Sequence, residues 1–328
     1  MRGGILKVGI PRALLYYEYY PLWKTFFEEL GAEVVLSAKT NKKIIESGLT
    51  YCVNEACLPV KIFHGAVSDL IGKVDCVFLP RIISVAKREY ICPKFSGLPD
   101  MIRSSLPNLP PVIDTEINLR LSDKTLKEAF IYTGKFITDN IAKIIKAYHK
   151  ALRAHGDFVA KTQKGVLPAQ IFDGYRPPQP KGLKIAVVGH IYNLFDSYAN
   201  NNLFKRLYQN DISVITPETL QTKIIDESAD KLNKKLFWSF ARKIMGAVIH
   251  FTQTKDIDGV MYIMSFGCGI DSFIADLCER KLKRANIPFY LLVIDEHSGE
   301  AGLDTRIEAF VDMLKRRKTN DSDLSAHG

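Results

Sequence analysis

The sequence has no run of eighteen or more apolar residues, whereas a helix needs about twenty to cross a bilayer, so no membrane span is expected. Its start, Met1-Arg2-Gly3-Gly4-Ile5, lacks the basic, apolar and small-residue order of a secretory signal, and the expected location is the cytoplasm. No G-x-x-x-x-G-K-[ST] string occurs, so the phosphate cradle of P-loop ATPases is not expected. No C-x-x-C pair occurs either, which argues against a structural zinc knuckle. A nucleic-acid-binding motif is likewise missing, although the formal net charge is +9. The basic residues are spread over helical stretches such as 281–284 and 315–318, where they read as solvated faces. A positive balance without such a motif leaves an acidic partner or an anionic ligand, and excludes nucleic acid from the expected partners.

What is present is ample apolar content. Of 328 residues, 47% are hydrophobic and 25% charged, which suits two soluble domains with real cores. The expected boundaries are 1–121 for a first α/β domain, 122–180 for a long helix and linker, 181–318 for a second α/β domain, and 319–328 for a disordered tail. In the first domain, apolar strands at Leu6–Pro11, Glu33–Ser37, Val74–Pro80 and Pro111–Asp114 alternate with helical patterns. Leu22, Phe26, Phe27 and Leu30 mark the buried face of the first helix. The second domain repeats the pattern with strands at Leu183–His190, Ile212–Ile215, Asp258–Met264 and Phe289–Asp295. Helices are expected at about Asp230–Thr252, Ser272–Asn286 and Thr305–Lys315. Alternation of this kind predicts mostly parallel sheets covered on both faces, in two Rossmann-like (flavodoxin-like) domains. One continuous helix from about Ser122 to Phe158 is expected to pack across both.

Six cysteines carry the chemical signal: Cys52, Cys57, Cys76, Cys92, Cys268 and Cys278. In a cytoplasmic chain they are ligands, nucleophiles or buried small hydrophobes rather than disulfides. Cys76 lies inside an apolar strand pattern and Cys278 inside a helix, so both are expected in the core. Cys57 precedes Leu58-Pro59, a helix start, where the positive end of the helix favours a thiolate. Cys92 stands in the loop after the Val74–Pro80 strand. Cys268 lies between a strand and a helix, flanked by Gly267 and Gly269, which let the backbone approach a bulky ligand. All three are expected at the carboxyl ends of strands, where open α/β sheets bind ligands. Gly267, Gly269 and Pro93 are the candidate cofactor contacts. Dispersed thiolates suit a cluster larger than a single ion; zinc and burial without metal remain alternatives. His64 is a further side chain within reach of Cys57.

The strings Tyr17-Glu18-Tyr19-Tyr20-Pro21-Leu22-Trp23-Lys24-Thr25-Phe26-Phe27, Glu55-Ala56-Cys57-Leu58-Pro59-Val60-Lys61, Cys92-Pro93-Lys94-Phe95 and Gly97-Leu98-Pro99-Asp100 resemble the acyl-CoA dehydratase activase-related proteins. Residues 295–302 and 305–310 are similar to the end of the same module. That family is related to the 2-hydroxyacyl-CoA dehydratases, the benzoyl-CoA reductases and the double-cubane cluster proteins. The resemblance implies an iron–sulfur cluster between two domains, a [4Fe-4S] or with more thiolates an [8Fe-9S] double cubane, held by Cys57, Cys92 and Cys268. It implies low-potential reduction or dehydration of an acyl-CoA, with electrons from a separate ATP-hydrolysing iron–sulfur activase. The chain is shorter than a typical dehydratase subunit, so parts that shape a CoA site are in doubt, and a non-catalytic carrier or accessory role is the alternative.

Glu296 and His297, after the strand ending at Asp295, are the candidate catalytic groups for proton delivery. His190, at another strand end, is a weaker candidate. The aromatic set Tyr16, Tyr17, Tyr19, Tyr20 and Trp23 reads as core, or as the surface of a homo- or heterodimer.

Overall fold

The computed structural model describes residues 4–174, 178, 180, 182–297 and 300–326. Two compact units form: residues 1–161 with 236–240, and residues 162–235 with 241–328. Each holds its own parallel sheet.

The first unit runs β1 (Lys7–Ile10), α1 (Tyr16–Glu29), β2 (Glu33–Leu36), α2 (Lys42–Tyr51), α3 (Leu58–Leu70), β3 (Cys76–Phe78), β4 (Arg81–Ser84), α4 (Lys94–Ser105), β5 (Val112–Ile113), β6 (Glu116–Asn118), α5 (Lys124–Gly134) and α6 (Ile141–Thr162). The main sheet has the order β2-β1-β3-β5, with every pairing parallel. Chain order reverses between β1 and β3, which makes the carboxyl ends of these two strands the switch point of the sheet. Its core is aromatic. Trp23 stacks on Phe130 at 4.6 Å between ring centroids and lies 4.4 Å from Phe78. Phe26 and Phe27 are fully buried, as expected for that face of α1.

The two helices before β3 cross at glycines. A Cβ on Gly65 would stand 1.9 Å from the Ile44 carbonyl oxygen, and one on Gly48 would stand 2.1 Å from that of Lys61. No side chain fits at either place, so α2 and α3 touch backbone to backbone. α3 itself begins after Cys57, with Pro59 in its first turn.

Several expected elements differ. The apolar run 74–80 is a strand only at Cys76–Phe78. After Pro80, β4 leaves to pair with β6 in a separate two-stranded parallel sheet. The long helix is two, α5 and α6. Asn140 caps α6, its Oδ1 accepting from the Lys143 amide at 3.0 Å. A Cβ at Gly134 would lie 2.7 Å from Ile144, so the end of α5 folds tightly onto α6. The buried stripe of α6 is Ile144, Ala147, Ala151 and Phe158. Within this unit, Lys143 Nζ donates to the Leu30 carbonyl oxygen at 2.9 Å and Lys150 pairs with Glu29, tying α6 to α1.

The second unit runs α7 (Pro168–Asp173), β7 (Leu183–Gly189), α8 (Ile191–Phe195), α9 (Leu203–Gln209), β8 (Ile212–Ile215), α10 (Thr222–Ala229), α11 (Ser239–Thr254), β9 (Gly259–Ser265), α12 (Gly269–Arg284), β10 (Phe289–Ile294) and α13 (Glu300–Ala326). The sheet order is β10-β9-β7-β8, again all parallel. The switch point therefore lies between β7 and β9. Both units are doubly wound, Rossmann-like α/β folds, as the alternation of elements predicts.

Here too there are corrections. Residues 230–238 are not helical. Residues 236–240 group with the first unit, where the Tyr90 amide donates to the Phe237 carbonyl oxygen at 2.7 Å and the Ser239 amide to that of Tyr90 at 2.9 Å. Backbone groups engaged in this bridge cannot also close helical turns. The tail expected to be disordered is largely helical, since α13 continues to Ala326. Arg317 donates to the Asn286 carbonyl oxygen at 2.6 Å and Lys318 pairs with Asp258 at 3.5 Å, which tethers the helix beyond its expected end. Residues 327–328 and most of the expected linker at 174–180 lie outside the described residues.

Candidate functional site

The six cysteines separate by position. Cys57 is the N-cap of α3, with its carbonyl oxygen accepting from the Val60 amide at 3.0 Å. Cys92 immediately precedes Pro93, the N-cap of α4, and accepts from the Phe95 amide at 3.0 Å. Cys268 is the N-cap of α12, where the Ser272 amide and hydroxyl both donate to its carbonyl oxygen at 3.0 Å. These three are half-buried; Cys52, Cys76 and Cys278 are buried. A helix N-terminus favours a thiolate, and partial exposure lets a ligand reach it.

The buried three are the opposite case. Burial pushes the Cys76 thiol up to about 11, and pushes Cys278 further still. Both remain thiols at neutral pH, as their expected core placement requires. Cys278 Sγ lies 3.8 Å from Met245 Sδ, and the Asp271 charge adds to the effect of burial on its thiol. Burial also raises the Cys52 pKa, partly offset by the Val53 amide and by Lys61 and Lys94. The Cys57 charge acts on the same thiol. Cys52, Cys57, Lys61 and Lys94 therefore share one corner of the first unit. Of the three candidate ligands expected at strand ends, Cys268 follows β9; Cys92 follows β4 of the two-stranded sheet rather than the strand of the main sheet, and Cys57 follows α2.

Near the switch point of the first sheet lies an apolar cavity of about 60 Å³, lined among others by Leu14, Tyr19, Trp23, Phe63, Phe78 and Phe95. Of the aromatic set, Tyr16 and Trp23 are buried and, with the half-buried Tyr19 and Tyr20, line this cavity, whereas Tyr17 is half-buried outside it. His64 is enclosed within α3's buried surroundings. It is 1% exposed, its Nδ1–H donates to the Val60 carbonyl oxygen at 2.8 Å, and burial lowers its pKa.

The second unit places a polar group at its own switch point. His190 follows β7 and Cys268 follows β9; Asp271 stands in the first turn of α12. The donor atoms of these three side chains all lie within 4.8 Å of one another. His190 Nε2 is 3.3 Å from Asp271 Oδ1, which also accepts from the Tyr262 hydroxyl at 2.7 Å. Asp271 is fully buried and His190 is 4% exposed. Beside them Ser265 Oγ donates to Asn193 Oδ1 at 2.9 Å. Gly267 has φ +75, a backbone conformation that glycine adopts without strain, and this turn swings Cys268 onto the head of α12. Gly269 needs no such reason, since a Cβ there would meet nothing within 4 Å.

The imidazole that meets Cys268 is thus that of His190. His297 is exposed, in a turn where its amide donates to Asp295 Oδ1 at 2.9 Å, and Glu296 beside it is half-buried. Asp271 escaped sequence reasoning altogether. Its only signal was its place three residues after Cys268, at the start of a helix that follows a buried strand.

Residues 7–220 of the 328 match the family model described as the CoA enzyme activase uncharacterised domain. The chain belongs to this family. The matched stretch of the CoA enzyme activase-related domain contains Cys57, Cys92 and His190, and ends before Cys268 and Asp271. No curated protein matches the chain. No described helix is long and apolar enough to cross a membrane.

Proposed function

We propose that this CoA enzyme activase-related chain is an iron–sulfur protein of the 2-hydroxyacyl-CoA dehydratase type. Its work is low-potential reduction or dehydration, with a separate ATP-hydrolysing activase as electron source. The observation that carries this reading is the sorting of the cysteines. Cys57, Cys92 and Cys268 are half-buried at helix N-termini, whereas the other three are buried, with thiol pKa values raised. The donor set fits the group: iron–sulfur clusters take thiolates, and the helix ends offset their negative charge. Cys57, Cys92 and Cys268 are the ligands, and Pro93 and Gly267 shape the backbone beside two of them. When bound, a [4Fe-4S] or larger cluster supplies one-electron chemistry at low potential. Lys61 and Lys94 add positive charge to the Cys57 corner, which favours an anionic group there.

The family description names a CoA enzyme activase, and the second reading is an accessory component of such a system that carries a cluster without turning over substrate. Anaerobic purification with iron and sulfide analysis tests the shared part. Cys92→Ser is expected to lose iron, and Cys76→Ser to keep it at lower thermal stability; equal iron in both variants removes the assignment. Turnover of a 2-hydroxyacyl-CoA with a reduced activase then separates enzyme from accessory component.

A further inference from the structure

Among the described residues, His190, Cys268 and Asp271 are the one group of three or more metal-capable side chains whose donor atoms converge. They come from three separate places on one sheet edge: the end of β7, the loop after β9 and the first turn of α12. Imidazole, thiolate and carboxylate are the three donor types that zinc-class ions take. The spacing agrees as well. The donor atoms lie within 4.8 Å of one another, and His190 Nε2 stands 3.3 Å from Asp271 Oδ1, the oxygen that Tyr262 also holds, which leaves Oδ2 of the same carboxylate for the ion.

A second observation points to a ligand. Asp271 is 0% exposed, and among the described residues its Oδ2 has no hydrogen-bond partner. A buried carboxylate oxygen left so costs stability, and a bound cation removes that cost. Tyr262 holds the other oxygen at 2.7 Å, which fixes the carboxylate as an outer partner fixes a metal ligand. The half-exposed Cys268 gives a route of entry.

We infer that His190, Cys268 and Asp271 bind a single divalent transition-metal ion of the zinc class within the second unit, and that this ion competes with the iron–sulfur cluster for Cys268. The competition rests on the cluster reading above; the ion site itself does not. Three protein donors leave one coordination position open to water or to an anionic ligand. A thiolate held by a zinc-class ion is withdrawn from iron, so zinc supply sets how much of the protein carries a cluster.

Cobalt(II) titration of the full-length, metal-free protein under anaerobic conditions tests this, read by the thiolate-to-cobalt absorption band. One equivalent is expected to bind. His190→Gln, Cys268→Ser and Asp271→Asn should each weaken binding at least tenfold, while Cys57→Ser and Cys92→Ser leave it unchanged. Circular dichroism checks that each variant folds. If Asp271→Asn does not fold, the partly exposed Cys268→Ser decides with His190→Gln. Cobalt affinity indifferent to the His190 and Asp271 changes, or a band lost in Cys57→Ser, overturns the site. Zinc added before iron and sulfide reconstitution should lower iron content in proportion to its occupancy; iron loading indifferent to zinc overturns the competition. Should Cys92→Ser keep its iron, the cluster reading fails while the cobalt result stands.

Discussion

The Tyr262 hydroxyl donates to Asp271 Oδ1 at 2.7 Å, and neither side chain has any exposed surface. Burial, and after it the Asp271 charge, raise the Tyr262 pKa well above the ordinary range, so the phenol remains a donor at any physiological pH. Tyr262→Phe keeps the ring and deletes the donor. A hydrogen bond to a buried charged group is worth about 1.5–3 kcal/mol, so Tyr262→Phe should lose stability on that scale. Urea unfolding followed by circular dichroism measures it. A loss under about 0.5 kcal/mol, the scale of an ordinary surface substitution, would show that the carboxylate is not held by this bond.

The contact between α2 and α3 leaves no room at Gly65, where an added Cβ would stand 1.9 Å from a backbone oxygen. Backbone cannot swing aside as a flexible side chain can, so Gly65→Ala must part the helices. Overpacking of this kind costs about 1–3 kcal/mol. The thermal midpoint is expected to drop, whereas Gly72→Ala, which meets nothing within 4 Å but carries φ +78, tests strain without overlap. A Gly65→Ala protein as stable as the parent would mean that the helices do not meet as described.

The alternation of strand and helix was legible because each buried strand is a short apolar run and each helix has an apolar face. The core positions Phe26 and Phe27, and the burial of Cys76 and Cys278, follow from those patterns. The break between α5 and α6 was masked by the apolar period, which runs on through Ile137 and Ile141; Asn140, the cap of α6, was its local signal, and the approach of Gly134 to Ile144 is a tertiary contact that the period does not show. The tethering of α13 by Arg317 and Lys318 escaped for the same reason. In the candidate site, glycine and proline punctuation put Cys57 and Cys268 at helix starts, whereas Cys92 read only as a loop residue and in fact immediately precedes the N-cap of α4. That punctuation could not say that His190 rather than His297 meets Cys268, because that depends on β7 lying beside β9, an order the sequence does not spell out.

His64 sets an expected acid limit. Burial lowers its pKa, outweighing the opposing bond to Val60, so the native state holds it neutral where the unfolded chain takes up a proton. The unfolded state then binds more protons, and stability falls as pH drops below roughly 6.5, the ordinary histidine value. The effect is fully present above that pH. Comparing unfolding free energies of the parent and His64→Gln at pH 7.5 and 5.5 isolates it: the variant should lose less on acidification. Equal losses would assign the acid sensitivity to other groups.

Cys76 sets the alkaline counterpart, and the sign reverses. Burial, and secondarily Asp75, push its thiol up to about 11. Above about pH 8.5, where an ordinary thiol titrates, the unfolded chain releases a proton that the native state keeps. The unfolded state then binds fewer protons, so stability is complete below that pH and declines as pH rises towards about 11, by at most about 1.4 kcal/mol per pH unit for one group. Cys278 and Tyr262 act in the same direction, so replacing one thiol lessens the decline without abolishing it. Cys76→Ala should start lower, from the lost packing, and fall less steeply between pH 8.5 and 10.5 in urea titrations. A slope identical to that of the parent would place Cys76 in contact with water, contrary to its buried position in β3.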